Sequence, residues 1–168
     1  MARTKVFVSY SHDDDRWRKR VVGQLAVLAE QGLIELCDDR TIGAGEDWLE
    51  TLNEQMLKAR IGMLLISASF LTSRFILDEE VPKLFARHKQ AGMKLYPLLL
   101  KPCAWREVGW LKRVQIRPPD AKPLASLRTA KAEQALADVA HEIAALARRS
   151  GKRGAKGAAE ARVNVRRR

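Results

Sequence analysis

The chain has 168 residues, 46% of them apolar, which suffices for one ordinary domain with a buried core plus a short appendage. No apolar run approaches the roughly 18 residues that a membrane span needs, and Met1–Lys5 leads into a strand pattern without the apolar stretch of a signal peptide, so a cytoplasmic location is the expectation. The net charge of +11 invites a nucleic-acid reading, yet residues 151–168 hold seven Lys/Arg against one Glu, placing +6 of that excess in the final segment.

Lys5–Tyr10 (KVFVSY) is a short apolar run rich in β-formers and predicts a buried strand. Ser11–Asp15 (SHDDD) is a loop full of helix N-cap types. Trp17, Val21, Leu25 and Leu28 then recur at helical spacing and predict an amphipathic helix that stops near Gly32. Leu33–Cys37 predicts a second strand, and residues 38–45 a polar, glycine-containing loop. A second helix is expected from Glu46 or Asp47, where acidic side chains suit the positive end of the helix dipole, with Trp48, Leu52, Met56 and Ala59 on its inner face.

Ile61–Ile66 (IGMLLI) reads as a central parallel strand covered on both sides. Residues 67–74 read as a loop. Leu77, Val81, Leu84, Phe85 and His88 mark one face of a third helix, which Pro82 requires to begin around Asp78. Leu95–Leu100 predicts a fourth strand, at or near a sheet edge because of Pro97. A short fifth strand is expected at Val114–Arg117, and a final Ala-rich helix at Thr129–Arg149. The alternation predicts an α/β fold: a four- to five-stranded parallel sheet with helices on both faces in three layers. Residues 1–149 form the expected domain. Residues 150–168, with Gly151, Gly154 and Gly157, form an expected disordered basic tail.

Cys37 and Cys103 belong to no CxxC pair, and His12, His88 and His141 fit no HxxxH or HExxH pattern. Neither a disulfide framework nor a metal site is expected, and both cysteines read as small buried apolar residues. Gly43-Ala44-Gly45 lacks the third glycine of a dinucleotide fingerprint and reads as loop flexibility.

Four stretches, in order, resemble the bacterial branch of the Toll/interleukin-1 receptor (TIR) family. Val6–Asp13 (VFVSYSHD) is similar to its opening strand and "ISYS" box. Asp38–Trp48 is similar to its BB loop, Met63–Leu71 to its third strand and exit, and Ser73–Pro82 to the segment carrying its functional glutamate. The resemblance covers residues 5 to about 145 and implies a flavodoxin-like doubly wound sheet. Ligands of such sheets sit beyond the carboxyl ends of the strands near the switch point, here the exits of the first and third strands.

The resemblance also implies chemistry. Many TIR domains cleave NAD+ at the nicotinamide–ribose bond, and others only scaffold. No cofactor is implied, since NAD+ would be the substrate. The family match allows Glu79 or Glu80 as the catalytic carboxylate. At about 100° per residue, Glu79 falls opposite the face set by Leu77, Val81, Leu84, Phe85 and His88, whereas Glu80 falls at its border. Glu80 is therefore the candidate, although both glutamates would also suit a first helical turn without any further role. Ser9, Tyr10, Ser11, His12, Trp48, Ser67 and Phe75 are the candidate substrate-binding residues. For Ser11 and Asp13, helix capping is an equal alternative. For Trp48 the alternative is a core anchor, and His88 reads as structural. Phe75 stands where many members carry Trp or Tyr.

Arg40, Ile42, Gly43 and Gly45 form the expected interaction loop, through which TIR domains often meet a neighbour. Self-association with other TIR domains and a separate sensor protein are the implied partners. Three functions compete: a defence or signalling NAD+ glycohydrolase activated by self-association, a non-catalytic adaptor, and a nucleic-acid-associated protein relying on its tail. The third ranks last, because no basic helix with interleaved aromatics exists in residues 1–149 and only weak tail binding is expected.

Overall fold

The computed structural model describes residues 2–37 and 47–165, with side chains described through residue 151. Four parallel strands form one sheet: β1 (Thr4–Ser9), β2 (Ile34–Cys37), β3 (Ile61–Ile66) and β4 (Lys94–Leu99). Their order is β2-β1-β3-β4, so the chain first steps from β1 to one side and then crosses to the other. This is the flavodoxin-like doubly wound arrangement, with its switch point between β1 and β3. Register places Val6 beside both Leu36 and Ile61, and Ser9 beside Leu64.

Alternation along the strands sends side chains into two cores. Val6, Val8, Ile61, Met63 and Leu65 face α1 (Asp15–Glu30) and α5 (Thr129–Val165), meeting Val21, Leu25, Leu136 and Ile143. Phe7, Leu64 and Ile66 face the other layer, formed by α2 (Trp48–Lys58), α3 (Ala68–Thr72) and α4 (Val81–Ala91), where Leu52, Met56, Phe70 and Leu84 fill the space. All six residues of β3 are buried, as expected for a parallel strand covered on both faces.

Caps set the helix limits. Ser11 accepts a hydrogen bond from the Asp13 backbone N–H at the 3-10 turn His12–Asp14, which runs into α1. Asp47 accepts from the Glu50 backbone N–H at 2.9 Å and starts α2. Gly92, at φ 65°, closes α4 in the left-handed region that favours glycine.

Four expectations need correction. Residues 67–74 are not all loop: Ser67 caps α3, and its Phe70 is fully buried. Helical backbone begins at Arg74 rather than Asp78, and runs through a π turn over Ile76–Glu80 directly into α4 with Pro82 in the first turn. The expected fifth strand is reduced to one bridge, Leu98 with Arg117, where the Arg117 N–H donates to the Pro97 carbonyl and the Leu99 N–H to the Arg117 carbonyl. Pro118 and Pro119 follow at once and offer no N–H for a ladder. Last, the backbone of α5 continues past Arg149 to Val165, through a stretch rich in alanine, where the sequence reading placed the start of the tail. Pro97 does lie on the edge strand β4, paired with Leu64 on one side.

Candidate functional site

A cleft of about 310 Å³ opens at the carboxyl end of β1. Val8, Tyr10, Ser11 and His12 supply one wall, from the strand and its exit. Trp48 at the start of α2 contributes a second side, and Ser73, Phe75, Ile76 and Glu80 a third. The volume suits part of a nucleotide, and the rim combines aromatic faces with hydroxyl groups.

Glu80 is the buried charge of this cleft. It is 6% exposed and accepts a hydrogen bond at Oε2 from the Ser9 hydroxyl, which is itself 1% exposed. Its place follows from the local backbone. Ile76 and Val81 turn into the core, so the last residue of the π turn faces the gap between α4 and β1. Single π turns of this kind recur at functional sites. Glu79 points elsewhere: its carboxylate pairs with Lys83 at 2.9 Å, with both side chains substantially exposed. The two glutamates left open by the sequence motif thus occupy different environments, and only Glu80 lines the cleft.

Trp48 does not anchor α2. It is 43% exposed and tilts against Phe75, with ring centroids 5.1 Å apart. The first turn of α2 stands beyond the core, so its inner face starts at Leu52. Tyr10 meets His12 at 5.6 Å between centroids, and the Arg18 guanidinium lies 5.3 Å from the Tyr10 ring. His88 does structural work, its Nδ1 being 2.7 Å from the Met93 carbonyl oxygen.

Of the residues selected from sequence, Tyr10, Ser11, His12, Trp48, Phe75 and Glu80 come together around the cleft. Ser9 reaches it through Glu80. Ser67 does not join them. It is fully buried, donates its hydroxyl to Asp14 Oδ2, and accepts from the Phe70 backbone N–H at 3.0 Å as the cap of α3. Arg40, Ile42, Gly43 and Gly45 lie outside the described residues. Val8, Ser73 and Ile76 line the cleft without having been candidates from the sequence. The signal for Ser73 was available, since its hydroxyl accepts from the Ile76 N–H as a cap would, three residues ahead.

No group of three or more His, Cys, Asp or Glu among the described residues is placed to hold a metal ion. No helix among them is long and apolar enough to cross a membrane.

Comparison with known proteins gives concordant results. The chain is 36% identical over 119 residues to the "Uncharacterized protein y4lF" of Sinorhizobium fredii (strain NBRC 101917 / NGR234), covering 71% of this chain and 36% of that protein. It thus spans about a third of the length of this relative. Among solved structures it resembles the TIR domains in the structure of the activated Roq1 resistosome directly recognizing the pathogen effector XopQ, with a TM-score of 0.53, 20% identity, and 82% and 84% of the two chains covered. That likeness is one of fold. A family model described as TIR domain matches residues 6–140, most of the chain. The chain belongs to the TIR domain family.

Proposed function

We propose that this TIR domain is an NAD+ glycohydrolase in which Glu80 is the catalytic carboxylate. The observation that carries the reading is a carboxylate 6% exposed, lining a cleft at the carboxyl end of β1 in a doubly wound sheet, beside an aromatic pair. Such a cleft has what the reaction needs. The nicotinamide of NAD+ is already cationic, so its departure requires no general acid. The C–N bond breaks with its electron pair going to the nicotinamide ring nitrogen, and positive charge builds on the ribose in an oxocarbenium-like transition state. A carboxylate held in a low-dielectric wall stabilises that charge and accepts hydrogen bonds from ribose hydroxyls. Water then bonds to the anomeric carbon, a proton leaves to solvent, and ADP-ribose results. In a variant of the same course, a nucleophilic atom of the ADP-ribose itself takes the place of water and gives a cyclic isomer. Trp48 and Phe75 offer a face for a base, and Tyr10, Ser11 and His12 a polar rim.

Activation by self-association belongs to the same reading, in defence or signalling, with a sensor acting as a separate protein or as a further part of a longer one. Exposed apolar side chains on α2, Leu49 and Leu57 together with Trp48, favour contact with another protein surface. They are equally the observation behind the second reading, a non-catalytic adaptor that binds other TIR domains. Incubation with NAD+ over a range of protein concentrations, with products identified by mass spectrometry, separates the two. The enzyme reading expects nicotinamide and ADP-ribose, or its cyclic isomer, at a specific rate that rises with concentration. The adaptor reading expects intact NAD+ throughout.

A further inference from the structure

We propose that Ser9 is a positioning residue, one that acts on the reaction through Glu80 and not through contact with substrate. The proposal rests on the reading of Glu80 given above and adds to it the device that holds that carboxylate in place.

Three observations carry it. Ser9 is 1% exposed and is not among the residues lining the cleft, so a bound ligand meets Glu80 before it meets Ser9. Its hydroxyl donates to Glu80 Oε2 across 71 residues of sequence. Its backbone is fixed, because β1 is an inner strand paired on both sides, with β2 and with β3, and Ser9 sits opposite Leu64 of β3. Glu80 ends a π turn within a helical segment, but its side chain has three rotatable bonds whose freedom would spread the carboxylate over several positions. A hydroxyl on an inner strand therefore selects one of those positions and holds one oxygen while the residue faces the cleft. A hydrogen bond from a neutral donor to a buried charge is also among the stronger kinds in a protein.

The test is a set of substitutions at Ser9. Ser9→Ala removes the donor with almost no change in volume. Ser9→Cys keeps the volume and leaves only a weak donor. Ser9→Thr keeps the hydroxyl on a strand suited to a β-branched residue. With NAD+ as substrate, Ser9→Ala and Ser9→Cys should lower kcat about 10- to 100-fold and leave KM within about twofold. Ser9→Thr should recover most of the rate. In the Glu80→Gln background, Ser9→Ala should cost nothing more, because both changes act through one group. A rise in KM alone, an unchanged kcat, or additive losses would overturn the proposal. A second readout needs no turnover: the crystal structure of Ser9→Ala should show the Glu80 side chain displaced or in several rotamers, with β1 unmoved. An unmoved Glu80 in that structure would refute the positioning role. Absence of NAD+ cleavage by the wild-type protein would instead refute the enzymatic reading of Glu80 and leave the crystallographic comparison to decide the role of Ser9.

Discussion

Lys101 and Asp14 are 87 residues apart in sequence, and their Nζ and Oδ1 atoms are 2.6 Å apart. The Asp14 side chain is fully buried, and its second oxygen accepts from Ser67. One carboxylate thus ties together the exits of β1, β3 and β4, directly behind the turn that presents Ser11 and His12 to the cleft. Removing the cation leaves a buried charge with a single hydroxyl donor among these partners, which is costlier than losing a surface pair. Lys101 is itself 41% exposed, so water compensates in part. Lys101→Met is expected to destabilise the domain by about 1–3 kcal/mol, read as a lower urea midpoint with an unchanged slope. An unchanged midpoint would show that solvent replaces the ammonium at no cost.

Trp48 should matter more to substrate than to stability. At 43% exposure, packed mainly on Phe75, it adds little to either core. Trp48→Ala is expected to raise KM for NAD+ about 2- to 10-fold, the worth of one aromatic contact, and to leave the thermal midpoint nearly unchanged. A large loss of stability with KM intact would instead make it a structural anchor.

How far the sequence foretold this arrangement differs from element to element. β3 was legible because its run is continuously apolar, and β1 because Val6, Phe7 and Val8 form an apolar run of β-formers at its centre. The separation of Glu79 from Glu80 agrees with the helical angle set by the apolar stripe, although both lie in a π turn that the sequence did not signal: Glu79 pairs with Lys83 in solvent and Glu80 is buried. Trp48 was misjudged because periodicity counts the first residue of a helix like any other, whereas that turn overhangs the core. The short helix after Ser67 was hidden because five residues carry no measurable period. The Lys101–Asp14–Ser67 brace had no sequence signal at all, since it depends on three strand exits meeting in space.

Two weakly acidic side chains that do not line the cleft set an alkaline limit. Burial pushes the Cys103 thiol above its ordinary value of 9.0, the Trp105 backbone N–H opposing and the Asp14 charge reinforcing the shift. Burial likewise raises the Tyr96 phenol from its ordinary 10.0, with the Glu142 carboxylate adding to it. Each group holds its proton more tightly folded than unfolded, so its contribution is fully present below the unfolded value and is lost as pH rises through the folded one. Stability should therefore fall progressively above about pH 9, and urea titrations from pH 7 to 11 would detect it. A flat profile across that range would show that neither group stays protonated longer in the folded protein.

The central claim is that Glu80, and not its neighbour, serves the cleft. The most direct measurement is the initial rate of NAD+ loss for wild type, Glu80→Gln and Glu79→Gln at equal, high protein concentration. Glu80→Gln should lose at least about 100-fold, as when one preorganised electrostatic group is removed, while Glu79→Gln should stay within about twofold of wild type, as for an exposed ion pair. Equal losses in the two variants, or wild-type turnover by Glu80→Gln, would contradict the account.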